Sequence, residues 1–220
     1  MAKKIETLER IPVGQVHIEG MLELPADVKS IVLFAHGSGS SRHSKRNNYV
    51  ARVLQNSGIG TLLMDLLTPE EDTNYATRFD IPLLTHRLLA AASWIKSDPR
   101  TKHLPIGYFG ASTGAAAALQ AAAGAGDEIG AVVSRGGRPD MAGISALEKV
   151  KSPTLLLVGG WDDEVITLNR EAYDYLRCTK ELIIIPGATH LFSEPGTLEE
   201  VARQAAVWFD RYLKAAPNAQ

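Results

Sequence analysis

Ser112 lies in Gly110-Ala111-Ser112-Thr113-Gly114, between an apolar run from Leu104 to Phe109 and an alanine-rich run from Ala115 to Leu119. The first run suits a buried strand and the second a helix, so the serine is pinned at a tight strand-to-helix turn. Glycines on both sides let the chain turn without a Cβ clash. The serine itself takes strained, positive-φ geometry, which lifts its hydroxyl clear of the backbone. The amide of Thr113, at the helix start, then points at the oxyanion that forms when that hydroxyl attacks a carbonyl. The pattern is a nucleophile elbow and the chemistry is acyl transfer. A bare Gly-x-Ser-x-Gly also serves as a small-residue packing turn, so the reading depends on a base, an acid and a second oxyanion donor.

A serine nucleophile needs a general base held in place by an acid, each just past the end of a strand as Ser112 is. Six histidines are available. His17 falls in a hairpin, His86 inside a helix and His103 at the wrong end of the strand before Ser112. His36 ends a strand in a His-Gly loop, and His43 is a loop residue near the mouth. His190 follows the last strand in Pro186-Gly187-Ala188-Thr189-His190-Leu191-Phe192 and is the base. The acid should follow an intervening strand. Asp162 does, after Val158-Gly159-Gly160-Trp161, with Asp163 and Glu164 open on spacing alone and Asp140 a weaker candidate behind Arg138-Pro139. The order serine, acid, histidine is the one expected when all three rise from one parallel sheet. The second oxyanion donor is an amide near Ser38 in His36-Gly37-Ser38-Gly39, where glycines let the backbone approach a substrate.

The elements that must position these residues recur as strand, then helix. Residues 6 to 24 read as an antiparallel hairpin. Continuous apolar runs at 30–35, 60–66, 104–109, 129–134, 154–158 and 181–185 are strands buried on both faces. Between them fall helices at about 48–56, 81–96, 140–149, 163–176 and 198–213, with a polar excursion over 68–77. The tail from Ala215 is expected to fray. Such alternation builds a mostly parallel sheet with helices on both faces, and its sites form at the carboxyl ends of the strands. Residues 1–220 read as one domain.

With 45% hydrophobic residues, 22% charged residues and a formal net charge of -2, the chain has no electrostatic signature for nucleic acid or an anionic membrane surface. The longest uncharged stretch, Leu104 to Gly126, is broken by five glycines and is the elbow. No run reaches the roughly 18 apolar residues of a membrane helix, and no apolar region follows Lys3-Lys4, so a cytoplasmic protein is expected. One cysteine, Cys178, excludes an internal disulfide and multi-cysteine metal sites.

From the hairpin to the final helix the chain resembles an α/β-hydrolase of the small dienelactone hydrolase-like branch. The resemblance rests on His36-Gly37-x-Gly39, Gly110-x-Ser112-x-Gly114, Gly159-x-x-Asp162-x-x-Val165 and His190 followed by Phe192. It implies an α/β-hydrolase fold without a separate cap domain. It also implies a Ser112–His190–Asp162 triad, the Gly-x-x-Asp-x-x-Val spacing favouring Asp162 over Asp163. Ester-type hydrolysis follows, with no metal or organic cofactor. Dienelactone hydrolases proper carry a cysteine nucleophile where this chain has Ser112, so dienelactone itself is not the substrate that the resemblance implies.

The expected activity is therefore a serine hydrolase cleaving a small ester, lactone or thioester, as a monomer or homodimer. Rival readings are an acyltransferase or peptidase on the same triad, or a non-catalytic fold member that only binds a ligand. Arg42, His43 and Arg46 lie beside the oxyanion loop, and Arg135 and Arg138 follow a strand end. If two or more face the pocket, the substrate carries a carboxylate or phosphate.

Overall fold

The computed structural model describes residues 4–214, so the expected fraying from Ala215 lies outside the described residues. The chain enters as an antiparallel hairpin of β1 (Ile5–Val13) and β2 (Val16–Leu24), turning at Gly14 with φ 61°. Its alternation shows in the burial of Ile11, Val13, Ile18, Leu22 and Leu24. Then come β3 (Ser30–Ala35), α1 (Lys45–Asn56), β4 (Ile59–Met64), α2 (Pro69–Asp72) and α3 (Ile81–Ser97). The second half runs β5 (Ile106–Ala111), α4 (Thr113–Ala125), β6 (Ile129–Arg135), α5 (Ile144–Leu147) and β7 (Thr154–Gly159). It closes with α6 (Asp163–Tyr175), β8 (Lys180–Ile185) and α7 (Thr197–Tyr212). Every residue of β3, β4, β5 and β7 is buried, as continuous apolar strands inside a parallel sheet must be.

The eight strands form one sheet in the order β1-β2-β4-β3-β5-β6-β7-β8. β2 meets β4 antiparallel, and the pairings from β4 through β8 are parallel. β3 has β4 on one side and β5 on the other, so the connections leaving β3 and β5 diverge. A crevice opens where they part, at the carboxyl ends of those two strands. α1 and α7 cover one face of the sheet, with Val50, Leu54, Val201 and Phe209 packed on Phe34, Phe109 and Val133. α3 and α4 cover the other, with Leu84, Leu88 and Ala116–Ala118 packed on Leu33, Tyr108 and Val132.

Local chemistry moves two boundaries from their sequence expectation. α1 begins at Lys45, not Asn48, because the Ser44 hydroxyl caps it by accepting the amide of Asn47. The polar excursion is ordered into α2 and a 3-10 turn over Tyr75–Phe79. Thr68 and Glu71 form a reciprocal capping box there, and Glu71 also pairs with the buried Arg87 of α3.

α4 sits close to the sheet because Ala115–Ala118 present only methyl groups, all fully buried. Its first turn is closer still. A Cβ on Gly110 would lie 2.4 Å from Ala115 Cα, and one on Gly114 would lie 2.2 Å from the carbonyl oxygen of Ala35. Gly114 is thus constrained by β3 and not by Gly110 across the turn. Gly124, in the exposed last turn of the same helix, has nothing within 4 Å of its missing Cβ. Gly114→Ala should cost about 3 kcal/mol or more, because backbone must move. Gly124→Ala should stabilise the protein by about 0.5–1 kcal/mol. Urea denaturation of the two variants tests both signs.

Candidate active site

Ser112 takes φ 51° and ψ -122°, one of two non-glycine residues with positive φ among the described residues. The strain is over-determined by backbone bonds. Its amide donates to the Arg135 carbonyl at 3.3 Å, and its carbonyl accepts from Ala115 at 3.0 Å and Arg138 at 3.1 Å. All three bonds use backbone, so the hydroxyl is left free. Gly37 passes directly beside it: a Cβ there would meet Ser112 Cβ at 3.0 Å and lie 3.8 Å from Oγ. A small cavity beside the start of α4 is lined by Gly37, Ser38, Gly39 and Thr113, together with Arg78 and Asp72 of the excursion.

His36 shapes that loop from below. The Leu66 amide donates to its Nε2 at 3.0 Å, so Nε2 is the acceptor and Nδ1 carries the proton it donates to the Gly37 carbonyl at 2.9 Å. Burial pushes its pKa down, only partly opposed by the bond to Gly37. A neutral His36 therefore ties the loop after β3 to the loop after β4.

His190 and Asp162 meet through a 2.6 Å hydrogen bond from Nδ1 to Oδ2. Asp162 immediately precedes α6 and closes the strand-end turn by donating its amide to the Gly159 carbonyl at 3.1 Å. The His190 loop crosses that turn at close range. Trp161 donates to the Ala188 carbonyl at 2.9 Å, and a Cβ on Gly159 would sit 2.5 Å from the same oxygen. Glu194 fastens the loop from the other side by accepting the Thr189 amide at 3.0 Å and its hydroxyl at 2.8 Å. Those two bonds hold the Glu194 carboxyl below its ordinary value. Across the crevice, a Cβ on Gly136 would lie 3.6 Å from His190 Cε1. His190 Nε2 makes no hydrogen bond among the described residues, Ser112 included. Such bonds tighten when substrate is bound.

The other candidates lie elsewhere. Asp163 and Glu164 are exposed on the first turn of α6, and Asp140 is bound by Arg138 at 2.8 Å and 2.9 Å. His17, His43, His86 and His103 are all exposed. Roomier clefts occur elsewhere on the surface, among them one lined by Arg10, His17, Glu19 and Asp65 and another by Ser30, His103 and Leu213. Neither contains Ser112 or His190.

The dienelactone hydrolase family model matches residues 18–215. The chain belongs to the dienelactone hydrolase family. It superposes on the crystal structure of a dienelactone hydrolase from Anabaena variabilis with a TM-score of 0.93 and 53% identity, covering 96% of this chain and 99% of that one. The fold is also that of Est1E from Butyrivibrio proteoclasticus, with a TM-score of 0.79 at 16% identity over 93% of this chain and 98% of that one. A protein named as a putative phosphoribosyl transferase of Mycobacterium tuberculosis is 55% identical over 204 residues, 93% of this chain and 46% of that protein. The chain thus spans about half the length of the curated relatives it matches.

Membership of the dienelactone hydrolase family agrees with the α/β-hydrolase fold of the chain. No described helix is long and apolar enough to cross a membrane. Of the arginines expected near the mouth, Arg42 is held by Asp65 and Glu19, and Arg138 by Asp140. Arg46 is half-buried and has no carboxylate partner among the described residues. Glu194 was not foreseen, since a glutamate at that spacing carries no pattern of its own. Arg78 falls in a polar stretch without a sequence pattern of its own, and its bonds to Asp72 are formed only once that stretch is folded.

His36 makes one feature of the site measurable. Its folded pKa lies below the ordinary 6.5, so on acidification the unfolded chain takes up a proton that the folded chain refuses. Stability is full above the unfolded value and is lost as pH falls from there towards the folded one. Denaturation at about pH 7 and about pH 5 should show a steeper loss in the parent protein than in His36→Gln, which has nothing to titrate there. Equal losses would remove His36 as the tie between the loops.

Proposed function

We propose that the protein is a serine esterase acting on small carboxylic esters, lactones or thioesters through an acyl-enzyme. The observation that carries this is the 2.6 Å His190–Asp162 bond, made at the strand end beside a serine whose strained backbone frees its hydroxyl. Asp162 accepts the Nδ1 proton of His190, which leaves Nε2 as the basic nitrogen. Nε2 takes the Ser112 proton as Oγ bonds to the carbonyl carbon, and the oxyanion is received by the amides of Thr113 and Ser38. His190 then gives that proton to the departing alkoxide or thiolate, breaking the ester bond. Water attacks the acyl-serine with His190 again as base, and the acid leaves with Ser112 restored.

An oxyanion hole built from backbone suits this reading. Gly37 carries no side chain into the space beside Ser112, and Thr113 opens α4, whose dipole favours negative charge there. Exposed Trp161 and Leu191 flank Asp162 and His190 and give the rim an apolar character suited to an acyl or alcohol group. Acyl transfer to an acceptor other than water would use the same first half. The family relationship and the serine favour hydrolysis.

A fluorophosphonate probe should label Ser112 and nothing in Ser112→Ala. Ester hydrolysis should fall by about 10⁴-fold or more in Ser112→Ala and His190→Ala, and by about 10⁴-fold in Asp162→Asn, where the imidazole is left in the wrong tautomer. A folded, unlabelled protein would replace the esterase with a ligand-binding member of the fold.

A further inference from the structure

Two arginines beside the site take no part in that mechanism. Arg135 closes β6 and is 7% exposed. Its guanidinium lies over the Phe192 ring, 5.9 Å from the centroid, and one terminal nitrogen donates to Asn47 Oδ1 at 3.3 Å. Its Nε is buried and has no partner. Arg46, on the first turn of α1, is half-buried, and its Nε is likewise buried without a partner. Among the described residues neither arginine has a carboxylate within ion-pair distance. The other arginines near the strand ends, Arg42, Arg78, Arg87 and Arg138, each do.

The surroundings add positive charge to this pair. Burial pushes Arg135 down to about 10, and the charge of Arg46 acts in the same direction. Arg135 is still a cation at neutral pH. Asn47, its one hydrogen-bond partner, belongs to the first turn of α1, where Ser44 caps the Asn47 amide and those of Lys45 and Arg46 have no intrahelical acceptor. That turn holds no acidic residue and carries Lys45 and Arg46, the sign opposite to what a helix amino end favours. A buried, unpaired cation facing a second cation and a helix amino end is strongly unfavourable alone. An anion between them reverses every one of these interactions.

The cluster adjoins the reacting groups through backbone. The Arg135 carbonyl accepts the Ser112 amide, and the next residue, Gly136, packs against the His190 ring. We propose that Arg46, Arg135 and the amino end of α1 bind the phosphate group of a phosphate-bearing ester substrate, an inference that rests on the esterase reading above. A phosphate monoester carries about -1.5 to -2 charges at neutral pH and three strong acceptor oxygens. That matches two guanidinium groups and a helix end; a lone carboxylate would leave one cation uncompensated. Arg42, His43 and Arg138 are not part of the site, two being engaged by carboxylates and one exposed.

Kinetics and calorimetry decide it together. Acetoxyethyl phosphate should be hydrolysed with a kcat/KM about 100-fold above that of neutral methoxyethyl acetate, the gain expected of two charge-assisted hydrogen bonds. That ratio should fall by about tenfold or more in Arg46→Gln and in Arg135→Met. Should the buried Arg135→Met fail to fold, the half-buried Arg46→Gln and the parent protein still give an answer. Inorganic phosphate, titrated calorimetrically, should bind the parent protein and compete with acetoxyethyl phosphate. Hydrolysis of both esters at equal kcat/KM overturns the phosphate site and leaves the esterase standing. Phosphate that binds without any such preference overturns it too, since the anion is then not part of the substrate. If neither ester is cleaved and Ser112 resists the fluorophosphonate, the esterase reading fails. Calorimetry with inorganic phosphate then still reports on the arginine pair, and absence of binding overturns it.

Discussion

The constraint on which the site depends is the contact of the first turn of α4 with the end of β3. Gly114 comes so near the Ala35 and His36 carbonyls that a methyl group would lie 2.2 Å and 2.5 Å from them. Three consequences follow from that one approach. The helix starts immediately, which forces Ser112 into positive φ. The loop leaving β3 must pass over the serine, which brings Gly37 against it. The amide of Thr113 and the backbone of residues 37–39 then face one small volume. In the proposed mechanism the nucleophile and the oxyanion receptor are two readings of this single packing event. Because the parts are backbone, they are rigid before substrate arrives, which is what makes such a receptor effective.

The other half of the site is built by a second close crossing, between the strand-end turn after β7 and the loop after β8. Gly159 lets the Ala188–Thr189 backbone lie across it and Gly160 lies against Ile185–Gly187, and the Trp161 amide fixes that crossing. Asp162 and His190 are brought together by backbone geometry, and their 2.6 Å bond is the result. The loop owes its remaining stiffness to Glu194 and to Phe192, whose positive φ of 52° is held under the Arg135 guanidinium. Arg135 thereby touches both halves, through its carbonyl on Ser112 and its side chain on Phe192.

Legibility in the sequence follows the range of the physics involved. The strands could be read because complete burial of β3, β4, β5 and β7 requires continuous apolar runs, and the elbow because a turn that tight tolerates only glycine at 110 and 114. Asp162 and His190 were readable as strand-end residues, although Asp163 and Glu164 fitted the spacing equally well. The Gly-x-x-Asp-x-x-Val pattern favours Asp162, but the direction of its side chain toward His190 is something chain position does not encode. The start of α1 was missed because Ser44 lies among other capping-competent residues, Ser40, Ser41 and Asn47, any of which could open a helix.

The arginines show the same limit more sharply. Arg42, Arg46, Arg135 and Arg138 look alike in sequence, each following the end of a strand, although only Arg135 and Arg138 have a carboxylate within a few residues. What separates them is pairing at long range. Arg42 is neutralised by Asp65 and Glu19 from two different strand regions, and Arg138 by its near neighbour Asp140. Arg135 points to the α1 side of the sheet, where the first turn supplies an amide oxygen and a second cation but no acid. An arginine next to its own carboxylate is a closed pair with little left to give a substrate. One that is buried with no carboxylate keeps its charge for whatever anion can reach it, and here the same residue holds the Ser112 amide through its carbonyl.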